Sequence, residues 1–387
     1  MITLFWLCAG ALLYPLALYP ALMALLGLLC AHRLPRGPHH PSVAIIVAAC
    51  NEERHIRAMM EQLLRVDYPR ELLELVVASD AGSTDATQAI VREYADRGIA
   101  LCLPAPGEVG KNVSLDAAVA ATRGEILIFA DATAIWRRSA IRRLAGGFAD
   151  PKIGCISARK AYWLEDGFGP HSYRSYWSVE GLVDRGSSLL GYVPNASGGL
   201  HALRRSIYRS VPGYMIRDLI DPAQTLGAGY DAVLDPDVTY DDAPWVGARE
   251  VYRARVRITV RALSSTRYIL AQLWRGRRPA AVWQYVSHKL LRWLMWLPAA
   301  GLFVASLALA PQSRWFAAAA VVQLLLYAVV PLAPALARRG REVPALSAWA
   351  FFVLNILAMA QGSADWLVGR RKTTWRLRPG AVADRIA

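Results

Sequence analysis

Apolar residues divide the chain into three zones: an apolar start, a mixed middle and an apolar end. Residues 1–30 contain no charged side chain, and at about 1.5 Å per residue such a helix can cross a hydrocarbon core of about 30 Å. The run is too long for the apolar core of a signal peptide, no basic residues precede it, and no small-residue cleavage site follows it. We therefore expect a retained transmembrane helix over 1–30.

The middle zone alternates short apolar runs with helical patterns. The runs "VAIIVAAC", "LELVVASD", "ALCLP" and "GEILIFAD" predict strands, and helices are expected over 53–64 and 84–96. The runs lack polar alternation, which is typical of parallel strands covered on both faces. We expect an α/β domain with a Rossmann-like, mostly parallel sheet over residues 41–248.

The final zone begins with a basic stretch, 249–293, in which we expect amphipathic, tryptophan-bearing helices at the membrane interface. A C-terminal transmembrane region of two or three helices is expected over 294–368, and a basic tail over 369–387. Its apolar stretches lie at 294–310, 315–337 and 344–362. Three spans would leave the tail outside the cytosol, against the positive-inside tendency. Unless the tail is an exception, we expect 344–362 to be re-entrant or interfacial.

Composition agrees with a membrane location. The chain is 55% hydrophobic, with a mean hydropathy of +0.26 and a net charge of +14, beyond what a soluble domain usually shows. Basic residues directly after the first span place the following domain in the cytosol, so we expect a multi-pass protein of the inner (cell) membrane. We expect the positive charge to meet anionic lipid headgroups and not nucleic acid. The five cysteines have no CxxC spacing and predict neither disulfides nor a zinc site.

Acidic residues follow two of the predicted strands. Asp80 follows "LELVVAS" and Asp131 ends "ILIFAD", and ligands of open α/β sheets bind outside the carboxyl ends of strands. Thr133 stands where a second acid would complete a metal-binding pair. From the residues alone, Asp131 is either a metal ligand or the polar end of a buried strand. Asp80 is either a ligand residue or a helix cap, a role that Asp85 could equally fill.

Five motifs stand together in the middle zone. They are "VASDAGSTDAT" (76–87), "GEVGKN" (107–112), "FADATA" (129–134), "SGGLHALRR" (197–205) and "YMIRDLIDP" (214–222). In this order and spacing they resemble the inverting family 2 glycosyltransferases, membrane-bound enzymes with a GT-A catalytic fold. The resemblance runs from about Pro41 to 294 and more loosely to the end. It implies a hexosyltransferase-type enzyme that depends on Mg²⁺ or Mn²⁺.

The resemblance implies a donor site for a nucleotide sugar. Asp80 would hydrogen-bond the nucleotide base, and Cys50, Asn51 and Glu52 would line the floor where the first strand ends. Lys111 would contact a phosphate or the sugar. A sugar nucleotide needs such a set because it brings a base with hydrogen-bonding edges and a diphosphate whose charge grows as the glycosidic bond breaks.

The metal site implied by the resemblance consists of Asp131 and Thr133. Asp131 matches the first acid of the family's Asp-x-Asp motif, and Thr133 offers a neutral oxygen in place of the second. One acid can suffice, because Mg²⁺ is often held by one or two carboxylates together with substrate phosphates and waters. The metal would act as a Lewis acid on the leaving diphosphate. Arg257 would add positive charge there, and Arg204 or Arg205 would contact phosphate or sugar.

The implied general base is Asp218, in "RDLIDP". It would deprotonate the acceptor hydroxyl as that hydroxyl attacks the anomeric carbon. Arg217 stands where many relatives carry a second acid, and Asp221 is both the alternative base and a candidate for the sugar pocket. Gly198 and Gly199 would let the backbone approach the sugar closely.

One departure from the family pattern bears on processivity. Processive polysaccharide synthases of this family carry Gln-x-x-Arg-Trp where this chain has Ala254, Arg257 and Ile258, so only the arginine remains. We therefore expect transfer of one sugar from a nucleotide-sugar donor to a lipid-linked or saccharide acceptor at the cytosolic membrane face. The alternatives are a processive exopolysaccharide synthase and a non-catalytic scaffold of a polysaccharide-export complex.

Overall fold

The computed structural model of the chain describes residues 1–29, 34, 39–106, 108–161, 180–242, 248–337 and 343–370. The expected basic tail therefore lies almost wholly outside the described residues.

An eight-stranded mixed sheet forms the centre of the molecule. Its strands are β1 (Val43–Ala49), β2 (Leu73–Ser79), β3 (Ile99–Cys102), β4 (Ile126–Asp131), β5 (Ile135–Trp136), β6 (Ile153–Lys160), β7 (Leu200–Arg204) and β8 (Asp231–Asp241), in the order β3-β2-β1-β4-β7-β6-β8-β5. All the strands expected from the apolar runs are present. Every residue of β1 is buried, which explains why its sequence shows no polar alternation.

The first four strands are parallel and end at the same edge of the sheet, which we call the carboxyl edge. Strand β1 pairs with β2 and β4 on either side, with Ala49 opposite Ser79 and Ala48 opposite Asp131. Strand β7 pairs with β4 in the antiparallel sense, so that Arg204 lies opposite Ile126, at the start of β4. The residues that follow β7 therefore lie at the opposite edge, the amino edge.

Helices cover both faces of the sheet and continue beyond it. They are α1 (Ile2–Leu29), α2 (Glu53–Leu64), α3 (Thr87–Arg92), α4 (Lys111–Ala121), α5 (Ala140–Gly147), α6 (180–188), α7 (Arg217–Gly227), α8 (Ala248–Arg275), α9 (Pro279–Trp293), α10 (Trp296–Leu309), α11 (Arg314–Ala328), α12 (Leu332–Ala337) and α13 (Pro344–Leu367). Short 3₁₀ turns lie at Arg70–Leu72, Ala95–Arg97 and Arg205–Ile207. Two apolar clusters, one on each face of the sheet, form the core of the domain.

Two of the described helices are long and apolar enough to cross a membrane: Ile2–Leu29, of 28 residues, and Ala345–Leu367, of 23 residues. Helices α9 and α10 form a pair bent by 59°, which could be one further, broken span. The expectation that 344–362 is the irregular segment is not supported by its length, because it lies in the longest apolar helix of the C-terminal region. The interruption lies instead after Ala328, where α11 ends after 15 residues.

Close backbone contacts fix the apolar helices to the domain. A Cβ on Gly186 of α6 would collide with the carbonyl oxygen of Met23 in α1, and a Cβ on Gly362 of α13 would lie 2.7 Å from Cβ of Thr259 in α8. Glycine is required at both positions because any side chain would separate the helices. The domain therefore packs directly against both candidate membrane helices.

Candidate functional site

The turns that follow β1 and β2 hold each other at the carboxyl edge. Asn51 has a positive φ of 57°, and its Oδ1 accepts a hydrogen bond from the backbone N–H of Thr84 at 2.8 Å. The backbone N–H of Glu52 donates to Thr87 Oγ1 at 2.8 Å. These bonds explain why α3 begins at Thr87 and not at the expected residue 84: Thr84 is held by the neighbouring turn.

Asp80 and Asp85 have separate structural roles. Asp85 accepts hydrogen bonds from the backbone N–H groups of Thr87 and Glu53, each at 3.0 Å, so Asp85 bonds the first residue of each of the two helices α3 and α2, although the N-cap position of α3 is Ala86. Asp80 is 4% exposed and accepts from the backbone N–H groups of Gly82 at 2.8 Å and Gly110 at 2.9 Å. Asp80 thereby fixes the loop that leads into α4.

Lys111 and Asp131 form an ion pair at the carboxyl edge. Lys111 begins α4, and its Nζ lies 2.6 Å from Asp131 Oδ1 at the end of β4. Burial alone would lower the pKa of Lys111, but the carboxylates of Asp131 and Asp218 outweigh it and raise that pKa. Burial raises the pKa of Asp131; Lys111 lowers it, and the charges of Asp218 and Asp242 raise it again. Burial is therefore the main cause of the raised pKa of Asp131, and the neighbouring carboxylates are the cause of the raised pKa of Lys111.

The side chain of Thr133 has a hydrogen-bond partner. Its hydroxyl donates a hydrogen bond to Asp242 Oδ1 at 2.6 Å. The other oxygen of Asp242 lies 2.8 Å from Lys160 Nζ. Asp242, directly after β8, is a site residue that the motifs did not identify.

Asp218 and Asp221 lie one turn apart on α7 in different environments. Asp218 is partly exposed, and its side chain makes no hydrogen bond to any described residue; a Cβ on Gly198 would lie 2.7 Å from its Oδ2. Asp221 is completely buried. Its two oxygens lie 3.2 Å from Arg217 Nη1 and 3.1 Å from His201 Nε2. The expectation that Asp221 lines an acceptor pocket does not fit this burial.

Arg217, too, faces away from the carboxyl edge. It is 4% exposed, its guanidinium stacks 3.8 Å from the centre of the Tyr208 ring, and it donates to the carbonyl oxygen of Arg209. The residue that replaces the family's second acid therefore stabilises the interior and does not change the charge of the site.

Arg204 and Arg205 lie at the amino edge, contrary to their expected contact with phosphate or sugar. Arg204 donates to the carbonyl oxygens of Ile153, at 2.8 Å, and Phe148, at 2.8 Å. Arg205 donates to Gly124 O at 2.6 Å and Val119 O at 2.8 Å. The physical reason is the direction of β7, which carries the end of its motif away from the acids.

Gly199 is required for packing. A Cβ there would collide with the ring of Tyr240 in β8, and the Tyr240 hydroxyl bonds Ser197 Oγ. The space left by Gly199 is therefore occupied by the ring of Tyr240, whereas Gly198 lies beside Asp218.

Arg261, which lies near Asp218 and Arg257, is a cation that the motifs did not identify. It donates to the carbonyl oxygens of Met215 at 2.6 Å and Gly213 at 3.2 Å. Burial and the neighbouring charge of Arg257 lower the pKa of Arg261 to about 10, while Asp218 acts in the opposite direction. Arg257 and Arg261 are spaced i, i+4 on α8, and this spacing, which puts both on one helix face, could have identified Arg261.

The carboxyl edge offers few side-chain ligands for a metal ion. Among the described residues, no three His, Cys, Asp or Glu side chains converge closely enough to hold a metal ion. Asp131 is 33% exposed at its side chain and can offer an oxygen. These residues fit a divalent cation that takes most of its ligands from substrate phosphates and water.

Comparison with known proteins agrees with this geometry. Residues 44–211 match the family model Glycosyl transferase family 2. Beta-monoglucosyldiacylglycerol synthase of Synechocystis sp. is 33% identical over 157 residues, 38% of this chain and 33% of the relative. The protein of the same name from Nostoc sp. is 28% identical over 185 residues, 47% of this chain and 39% of the relative. The chain thus matches little more than a third of the length of these relatives.

One solved structure resembles the molecule over nearly its whole length. It is the mannosyltransferase PcManGT of Pyrobaculum calidifontis in complex with GDP-Man and Mn²⁺, with a TM-score of 0.70 and 23% identity, covering 94% of this chain and 98% of that one. The likeness confirms the expected fold: a GT-A α/β domain between N- and C-terminal apolar helices.

Proposed function

Because residues 44–211 match the family model Glycosyl transferase family 2, we propose that the protein transfers a single sugar, with inversion, from a nucleotide-sugar donor to a lipid acceptor at the cytosolic face of a membrane. The observation that carries the proposal is the convergence of Asp131, Asp218 and Lys111 at the carboxyl edge, where Lys111 pairs with Asp131 at 2.6 Å and the partly exposed carboxylate of Asp218 has no hydrogen-bond donor among the described side chains.

A lipid acceptor is supported by two independent features. The two relatives described above are named beta-monoglucosyldiacylglycerol synthases, a name that denotes a glycolipid product. In this chain, α8 and α6 pack against the two candidate membrane helices, so the domain is held beside any membrane that those helices enter. A lipid with a free hydroxyl, such as diacylglycerol, fits both features.

Asp218 would act as the general base. Its partly exposed carboxylate has no hydrogen-bond donor among the described side chains, so its lone pairs can accept a proton from an acceptor hydroxyl. Attack by that hydroxyl on the anomeric carbon, opposite the diphosphate, breaks the glycosidic bond in one displacement and inverts the configuration. Lys111 lies within electrostatic reach of Asp218 and would orient a diphosphate oxygen by a charge-assisted hydrogen bond.

Asp131, with Thr133 beside it, would hold Mg²⁺ or Mn²⁺ together with the diphosphate. The bound ion would supply Lewis-acid stabilisation of the leaving diphosphate. Lys111 now contacts the Asp131 oxygen that such an ion would use, so the diphosphate, by attracting Lys111, would make Asp131 available. Asp80 and the turn formed by Cys50, Asn51 and Glu52 would surround the nucleotide base.

The test is a transfer assay with the full-length protein in detergent. Nucleotide sugars including UDP-glucose and GDP-mannose would each be supplied with diacylglycerol in mixed micelles and Mn²⁺, and the lipid products separated and weighed. The proposal predicts one added hexose with one donor, and a transfer rate for Asp218→Asn that is lower by about 10²-fold or more. A product of many sugars would favour the processive synthase. Transfer by neither donor, together with no binding of any nucleoside diphosphate, would favour the scaffold.

A further inference from the structure

Thr133 has a hydrogen-bond partner from a distant part of the chain. Asp242, which accepts from its hydroxyl, lies 109 residues further along. The pairing of β5 with β8, with Ile135 opposite Asp241 and Trp136 opposite Tyr240, brings the end of β8 to the turn that follows β4. Backbone pairing, and not a chance side-chain contact, therefore places Asp242 at the carboxyl edge.

Asp131 and Asp242 each form an ion pair with a lysine. Asp131 pairs with Lys111 at 2.6 Å, and Asp242 pairs with Lys160 at 2.8 Å. The side chain of Asp242 is 20% exposed, so part of its carboxylate remains accessible.

The residue type at position 133 fits this arrangement. A threonine donates its hydroxyl proton to a carboxylate, whereas an aspartate at the same place would put two like charges in contact and raise the pKa of one of them. An acid at 133 and an acid at 242 are therefore alternative ways to supply the same negative charge.

We propose that Asp242 supplies, from the end of β8, the second carboxylate that position 133 lacks, as a ligand residue for the divalent cation of a bound nucleoside diphosphate. Thr133 is then a positioning residue, because its hydroxyl orients Asp242. Two carboxylates with substrate phosphates and waters make up a common set of ligands for Mg²⁺. This inference rests on the proposed function, of which it specifies the donor site.

The experiment is a calorimetric titration of Mn²⁺ into the full-length, detergent-purified protein saturated with GDP or with UDP. Asp242→Asn should weaken Mn²⁺ binding at least tenfold. Asp237→Asn, which removes an acid from the same strand, should leave it unchanged. The double variant Thr133→Asp with Asp242→Asn moves the carboxylate to position 133 and should recover affinity to within about threefold of the original protein, that is within about 0.7 kcal/mol.

The outcomes separate this inference from the proposed function. Unchanged Mn²⁺ affinity in Asp242→Asn, with affinity lost in Asp131→Asn, would overturn the role of Asp242 alone. A loss in Asp242→Asn that Thr133→Asp does not restore would also overturn it, because Asp242 would then only support the strand pairing. If the original protein binds neither GDP nor UDP with Mn²⁺, the proposed function fails as well.

Discussion

The charged residues at the two edges of the central sheet differ in their bonding partners and in their exposure to solvent. At the amino edge, Arg204 and Arg205 direct their N–H groups to backbone carbonyl oxygens that would otherwise lack partners, so their charges stabilise the fold. At the carboxyl edge, the ion pair of Lys111 and Asp131 is partly exposed, and the carboxylate of Asp218 has no hydrogen-bond donor among the described side chains. Charged groups that are bonded to the backbone stabilise the fold, and partly exposed charged groups at the strand ends are available for a ligand.

The largest effect is expected at Asp218. Asp218→Asn removes the proposed base and should lower the transfer rate by about 10²- to 10⁴-fold, the range for loss of general-base catalysis, while the affinity for nucleoside diphosphate stays nearly unchanged. The measurement is turnover together with calorimetric binding on the same preparation.

Asp221→Asn is the matched control for Asp218. It should lower the thermal midpoint, because it removes a buried carboxylate from Arg217 and His201. Turnover retained by Asp218→Asn and lost in a folded Asp221→Asn protein would transfer the role of base to Asp221.

A smaller effect on nucleotide affinity is expected when a single cation is replaced, and the effect should depend on which edge carries that cation. Lys111→Met should weaken nucleoside diphosphate binding by about 10- to 100-fold, because a hydrogen bond to a charged group contributes about 1.5–3 kcal/mol. Arg205→Gln should leave that affinity unchanged and lower the thermal midpoint instead. Weakened nucleotide binding in Arg205→Gln would end the distinction between the two edges.

The smallest effects are expected in a third region, helix α6. It carries one acid that is paired with cations and one acid that has an oxygen without a hydrogen-bond partner among the described residues. Glu180 of α6 lies 2.9 Å from His288 Nε2 and 3.2 Å from Arg292 Nη1. Burial raises its pKa, but these cations outweigh burial and hold the pKa well below its usual range. Asp184, one turn later, has no hydrogen-bond partner for Oδ1 among the described residues. Burial and the charge of Glu180 raise the pKa of Asp184 to about 7.

These two acids should respond to pH in opposite ways. The folded pKa of Asp184 lies above its unfolded value, so its contribution to stability falls as pH rises toward 7 and stays low above it. Asp184→Asn should therefore raise the thermal midpoint by at least about 2–4 °C at pH 8 and by less at pH 5, because the loss begins near the unfolded pKa and is complete only above about pH 7. Glu180 is ionised at both values, so Glu180→Gln should lower the midpoint at both. Equal responses of the two variants would contradict this assignment; intrinsic fluorescence during heating provides the measurement.

Local pattern was sufficient to predict β1 to β4, the acid that follows β2 and the acid that ends β4, whereas it did not predict β5, β7 or β8. Asp80 and Asp131 directly follow or end apolar runs, so strand prediction alone places them at one edge. The amino-edge position of Arg204 could not be predicted, because it depends on the antiparallel direction of β7. Asp242 could not be predicted either, since the β5–β8 pairing joins residues more than one hundred positions apart.

The central claim is that the carboxyl edge binds a nucleoside diphosphate together with a divalent cation. Calorimetric titration of the detergent-purified protein with UDP and GDP, each with and without Mn²⁺, and repeated on Asp131→Asn, tests it directly. The account predicts selective binding of one nucleotide that Mn²⁺ strengthens, weak Mn²⁺ binding when nucleotide is absent, and loss of the Mn²⁺ effect in the variant. Tight Mn²⁺ binding by the nucleotide-free protein, or binding of neither nucleotide, would contradict it.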